Sequence, residues 1–219
     1  MWLRVLVLGV LITQTAFSRP QTPVERRVRV ASEVVTHRML SERPIPQYII
    51  DASLCAVSLK VVKAGLIWGG QGSAGLATCK VNGEWSAPSF FSIDGVTFGL
   101  QIGVQFLESV LLFMTPYGRE VLQHPTFQLG VDVSFAAGPV GGGQGTGVIP
   151  EAHVLTYSRA VGLYAGATVN GFVLTHNPGF NASVYGEGVA PIEVLDTPGS
   201  SAPAVVSPFV ETMQRQMPF

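Results

Sequence analysis

The spacing of apolar positions changes near residue 60, from a helical period before it to the two-residue period of strands after it. Val24, Val28, Ala31, Val35 and Met39 recur at near-helical spacing and predict a helix over Pro23 to Leu40. Thr22-Pro23 supplies its start, a threonine cap before a proline whose missing N–H costs nothing at the first helical position. Arg26, Arg27, Arg29, Glu33 and Arg38 fill much of the remainder, which gives the helix an apolar stripe and a basic side. Arg43-Pro44-Ile45-Pro46 stops it. Ile45, Tyr48, Ile49, Ala52, Leu54 to Ala56 and Leu59 then predict a second helix, apolar almost all round and so buried. Lys60 and Lys63 flank its exit into the first strand, where snorkelling over the core edge competes with a phosphate contact.

From Val61 to Gln105 short apolar runs alternate with glycines, the pattern of an antiparallel sheet whose backbones come close together. Asn82-Gly83, between Val81 and Trp85, predicts a hairpin, because a type I′ turn needs positive φ at both central residues. Thr97 to Phe106 alternates strictly and predicts one half-buried strand, with Val110 to Met114 as a second strand pairing with it. Pro116 to Gln123 reads as a short helix with Tyr117, Val121 and Leu122 inward, and Phe127 to Ala137 as a further strand. Gly138 to Gly147 is a flexible loop, followed by strands at His153 to Tyr157, Leu163 to Val169 and Phe172 to Leu174, with a second hairpin signal at Asn170-Gly171. Beyond His176 the composition predicts a mostly irregular tail with a short helix near Pro208 to Gln214. The fold class is α+β: a twisted, glycine-rich, mainly antiparallel and partly closed sheet, with two N-terminal helices and short peripheral ones.

Composition narrows the function. Charged residues make up only 12% of the 219 and the net charge is -1, which excludes a disordered chain and an electrostatically driven nucleic-acid binder. The cations are unevenly spread: Arg19, Arg26, Arg27, Arg29, Arg38 and Arg43 fall in one segment. Residues 1–18 have the marks of a signal peptide, with Arg4 before the apolar run Val5 to Ile12 and small residues at Ala16 and Ser18. An exported, periplasmic or secreted protein is expected, with 19–195 as its domain and 196–219 as a Pro/Ser-rich tail. In an oxidising compartment Cys55 and Cys79 could pair, or each could be buried as a small hydrophobe.

Catalytic chemistry is not expected. Gly70-x-Gly72-x-x-Gly75 matches a dinucleotide fingerprint in letters, but a strand and the Asn82-Gly83 turn follow it where a helix must begin. His37, His124, His153 and His176 are scattered, no serine sits in a nucleophile elbow, and no spacing suggests a metal or other cofactor.

Several motifs in order carry a resemblance: Ile45-Pro46, Lys63-Ala64-Gly65, Gly69-Gly70, Trp85-Ser86-Ala87-Pro88-Ser89, Gly99-Leu100-Gln101-Ile102-Gly103, Ala137-Gly138-Pro139-Val140-Gly141 and Tyr157-Ser158-Arg159-Ala160-Val161-Gly162-Leu163-Tyr164-Ala165-Gly166. Together they resemble the SYLF domain family, lipid-binding domains also described in fungi as actin-binding. The resemblance implies binding of anionic phospholipid head groups, of the phosphatidylinositol type in eukaryotic members, through an N-terminal amphipathic helix. Carried onto this chain, the contact maps to Val24–Met39, with Arg26, Arg27, Arg29 and Arg38 as phosphate partners, and Lys60 and Lys63 beside them. The helix then lies in the bilayer interface with its stripe in the acyl boundary; the spacing alone favours a surface helix packed on the domain. The export signal argues against actin as a partner. Two other readings remain at this stage: a small outer-membrane β-barrel and an envelope protein-interaction module.

Overall fold

A computed structural model describes residues 20–65, 68–98, 103–139, 151–161 and 173–219. Helix α1 spans Pro23–Met39. Thr22 closes a capping box at its start: its hydroxyl accepts from the Glu25 N–H at 3.2 Å, and the Glu25 carboxylate accepts the Thr22 N–H at 2.7 Å. The next helix, α2, covers only Gln47–Ala52, and strand β1 runs from Cys55 to Gly65. The long second helix expected from the apolar run is therefore two elements. The reason is physical. An all-round apolar run fits a buried helix or a strand covered on both faces, and β1 is central, paired with β2 (Trp68–Val81) on one side and β5 (Gly103–Phe113) on the other.

Asn82 and Gly83 take φ of 52° and 84°, as the hairpin requires, and join β2 to the short β3 (Glu84–Trp85). The Gly70–Gly75 glycines lie within β2, so no helix N-terminus stands where a pyrophosphate would need one. Strand β4 spans Ser89–Phe98. Of the single strand expected from Thr97 to Phe106, Thr97 and Phe98 end β4, Gly103 to Phe106 open β5 and 99–102 lie outside the described residues, while Val110 belongs to β5 itself instead of forming a partner strand.

Helix α3 (Pro116–Val121) buries Val121 and, just past its end, Leu122, but leaves Tyr117 48% exposed with its hydroxyl on the Asp132 carbonyl. The expected strand Phe127–Ala137 is divided into β6 (Thr126–Gln128) and β7 (Phe135–Ala137) by a turn through Gly130 at φ 85°. Strands β8 (Val154–Val161) and β9 (Val173–His176) follow; the expected strand at 163–169, its Asn170-Gly171 turn and most of the loop 138–147 lie outside the described residues. The short helix expected near Pro208 to Gln214 is α6 (Ser207–Gln216), but the stretch before it, expected to be irregular, holds two more, α4 (Pro178–Tyr185) and α5 (Pro191–Leu195); all three have proline in the first turn.

The sheet runs β6-β9-β4-β2-β1-β5-β8-β7, with β3 as a side hairpin, and every pairing is antiparallel except β7 with β8. Both faces are covered. One buries Val57, Leu59, Phe91, Leu111, Phe113 and Phe127; the other packs α1, α2 and α6 over Ala56, Leu76, Phe90, Val110, Leu112 and Tyr157. The path ends at β6 and β7 without closing among the described residues, and helices occupy a face that an outer-membrane barrel would give to lipid. The fold is α+β, and the barrel reading falls.

Two details fasten it. Trp85 is fully buried and its indole N–H donates to the Met217 carbonyl at 2.8 Å, tying the end of α6 to the hairpin. Cys55 and Cys79 are register partners on β1 and β2, with Cα atoms 3.9 Å apart, and the structure joins them by a disulfide.

Candidate functional site

The expected basic residues fall into three environments. Helix α1 crosses the sheet diagonally: Arg27 lies against Phe180 of α4, the Ser58 hydroxyl donates to the Ala31 carbonyl at 2.8 Å over β1, and His37 reaches Glu108 on β5. Its buried residues are Val28, Ala31, Val34 and Val35. The apolar stripe is thus spent on the domain, and Arg26 and Arg29 are left on the exposed flank. Arg29 pairs with Glu33 at 2.5 Å one turn on and donates to Gln21 at 3.2 Å.

Arg27 and Arg38 behave differently. The Arg27 guanidinium sits 3.9 Å above the Phe180 ring and that of Arg38 5.3 Å from the Tyr157 ring. Arg27 Nη1 and Arg38 Nε are buried without a hydrogen-bond partner. Burial presses both guanidiniums below their ordinary range, helped at Arg27 by the Arg26 charge and opposed at Arg38 by Tyr157. These two arginines work largely as packing, covering rings with their planes. The four arginines do not share one surface.

The third environment is an ion cluster at the C-terminal end of α1. Lys60 of β1 and Glu108 of β5 stand opposite each other in register, as do Glu108 and Arg159 of β8. The Glu108 carboxylate accepts from Lys60 Nζ at 3.0 Å and bonds His37 Nδ1 at 3.1 Å. Glu108 is only 6% exposed. Burial pushes its carboxyl up, but the Lys60 and His37 bonds outweigh that and hold it below the usual carboxylate range. Between His37, Arg38, Ser41, Glu108, Tyr157 and Arg159 there is a cavity of only about 10 Å³, scarcely room for one water. The cluster locks α1 to the sheet and encloses no ligand. Lys63 lies three positions further along β1, and its side chain falls outside what the structure describes.

Glu108, Arg159 and Arg43 were not among the site residues read from sequence, although an acid within the apolar run of β5 was a signal for the first. Among the histidines, His153 bonds the Thr115 hydroxyl at 2.8 Å, His176 Nε2 donates to the Leu122 carbonyl at 2.8 Å, and His124 is exposed.

A curled, mostly antiparallel sheet with a basic helix laid across it defines the class as an α+β domain. The family profile described as "Ysc84: Las17-binding protein actin regulator" matches residues 94–216, and the chain belongs to that family, the Ysc84 or SYLF domain family. It is 29% identical over 172 residues to the human SH3 domain-containing YSC84-like protein 1, covering 75% of this chain and 50% of that protein. Protein YSC84 of Saccharomyces cerevisiae is 28% identical over 155 residues, covering 67% of this chain and 33% of its own length. The SH3 domain-containing protein PJ696.02 of Schizosaccharomyces pombe is 30% identical over 151 residues, 66% of this chain and 35% of that protein. The chain therefore spans a third to a half of these relatives. No solved structure matches it.

Proposed function

We propose that this chain is a non-catalytic, exported domain that associates reversibly with anionic phospholipid surfaces. The observation that carries the reading is the division of labour in α1: its stripe of Val28, Ala31, Val34 and Val35 is buried in the core, so what the helix and the turn after it offer a surface is charge, with Arg26, Arg29 and Arg43 exposed. Family membership supports lipid as the partner. The contact is then electrostatic and peripheral, a docking of charges on head groups without insertion of the stripe. Each cation near an acidic leaflet contributes about 1 kcal/mol, so a few of them give binding that salt reverses. Export rests on residues 1–18, and periplasmic or extracellular location goes with it.

Actin regulation and Las17 binding are what the family description names; an exported chain would not meet a cytosolic filament. A protein partner in the envelope is the second reading, favoured by a groove of about 510 Å³ between α1 and α6 that Val28, Arg29, Val205 and Pro208 help to line. Flotation of the chain lacking residues 1–18 with vesicles of graded anionic content and graded salt tests the first. Co-flotation that rises with anionic lipid and falls with salt is expected; no flotation on acidic vesicles, with capture by lipid-free envelope protein, would replace it by the second.

A further inference from the structure

We propose that the surface meeting the bilayer is the C-terminal end of α1 with the adjoining part of strands β1, β5 and β8, not the Arg26–Arg29 flank, an inference that rests on the lipid-binding reading above. Few large apolar side chains are exposed among the described residues, and two of them sit here: Leu40, which caps α1 at 74% exposure, and Phe106 of β5 at 37%. A chain of contacts connects them. Leu40 follows His37 by one turn, His37 bonds Glu108, Glu108 holds Lys60, and Lys60 Nζ lies 5.6 Å from the Phe106 ring. Arg159, beside Glu108 in register, and Arg43, three residues beyond Leu40, are both exposed.

The charges around this patch favour an acidic surface. Lys60 and Arg159 flank the buried acid Glu108 in register, and the turn after α1 carries the exposed Arg43 beside the exposed Glu42, so three cations stand against two acids before His37 is counted. The alternative flank carries no large exposed apolar side chain, and its Arg29 is already paired with Glu33. Exposed apolar side chains ringed by cations suit a lipid interface, where the former enter the head-group layer and the latter take phosphates. Glu108 has a definite part in this. By drawing Lys60 and His37 together it holds the end of α1 on the strand that carries Phe106, so Leu40 and Phe106 are presented as one surface. The tiny cavity beneath the cluster means that a head group binds from outside and not within it.

The experiment uses the chain from residue 19 with vesicles of phosphatidylcholine alone and of equal parts phosphatidylcholine and phosphatidylserine. Three variants are compared with wild type: Leu40→Asp, the pair Arg43→Glu and Arg159→Glu, and the pair Arg26→Glu and Arg29→Glu. All five positions are exposed, and unchanged near-ultraviolet circular dichroism and thermal midpoints check that each variant folds. Partitioning onto acidic vesicles is expected to fall by about tenfold or more for the first two and by no more than about threefold for the third, since single interfacial charges are each worth about fivefold. Wild-type partitioning with Leu40→Asp and the Arg43/Arg159 pair unaffected, and the Arg26/Arg29 pair crippled, would overturn this placement and leave the lipid reading standing. Failure of the wild type itself to bind acidic vesicles would overturn both.

Discussion

Glu108 decides how the basic residues are arranged, and its charge is maintained by two neighbours from distant parts of the chain. Lys60 lies 48 positions away in sequence and His37 71. No local pattern announces such a trio, and this is why sequence reading placed Lys60 among the head-group ligands while passing over its partner. The arginines show the same limit. Their positions on the basic side of α1 were legible from spacing, but not that Arg27 and Arg38 would lie flat on Phe180 and Tyr157, rings contributed by α4 and β8. Replacing Glu108 by Gln leaves the half-buried Lys60 ammonium without its counter-charge and is expected to cost about 2 kcal/mol, below the range for fully buried pairs because Lys60 and His37 keep solvent contact. The pH dependence follows with a definite sign. The folded carboxyl lies below its unfolded value of 4.5, so its contribution is present above that pH and is lost as pH falls through the folded value. Urea titrations from pH 3 to 7 are expected to show a shallower acid limb in Glu108→Gln than in wild type; parallel limbs would mean that the carboxylate carries no such linkage.

At the scale of elements, the most legible parts were those with a local chemical cause. Thr22-Pro23 starts α1 and Asn82-Gly83 turns the hairpin as their backbone preferences require. The second helix failed because Leu54 to Leu59 is apolar on every side, which a central strand under two covered faces demands as much as a buried helix does. That error had a consequence for chemistry. Placing Cys55 on a helix concealed its register with Cys79, whereas on β1 the two residues are direct neighbours. The start of the tail was misread for the opposite reason: Pro178 and Pro191 each open a helix instead of preventing one, as Pro208 does where a helix was expected. The bond between Cys55 and Cys79 closes a loop with a sequence separation of 24. In the chain-entropy account a loop of that length is worth about 3 kcal/mol. Replacing both cysteines by Ala is expected to lower unfolding free energy by about that amount at unchanged pH. A reductant is expected to reproduce the loss in wild type and to have no effect on the double variant. Equal stability of wild type with and without reductant, at full thiol release, would refute the contribution.

For the whole molecule the question is whether α1 can serve lipid and core at once. The sequence left both uses open, and the fold commits the stripe: Val28, Ala31, Val34 and Val35 cover the sheet beside α6. Peeling the helix away to insert that stripe in a bilayer would rehouse its own valines but strip the face of Ala56, Leu76, Val110 and Leu112 of its cover. At roughly 1.5–3 kcal/mol for each large apolar side chain uncovered, the cost exceeds what a handful of cations gain at about 1 kcal/mol apiece. The Ser58–Ala31 hydrogen bond and the Glu108 bonds to His37 and Lys60 add to the attachment. Binding with α1 still docked is therefore favoured, and the molecule meets a membrane as a rigid body. Hydrogen–deuterium exchange distinguishes the two cases through α6, whose main helical neighbour is α1. Adding saturating acidic vesicles is expected to leave exchange across Ser207–Gln216 unchanged and to slow it only near the contacting surface. Acceleration through α6 on vesicle addition would mean that α1 had left its place, and that the energy ordering drawn from the buried stripe is wrong.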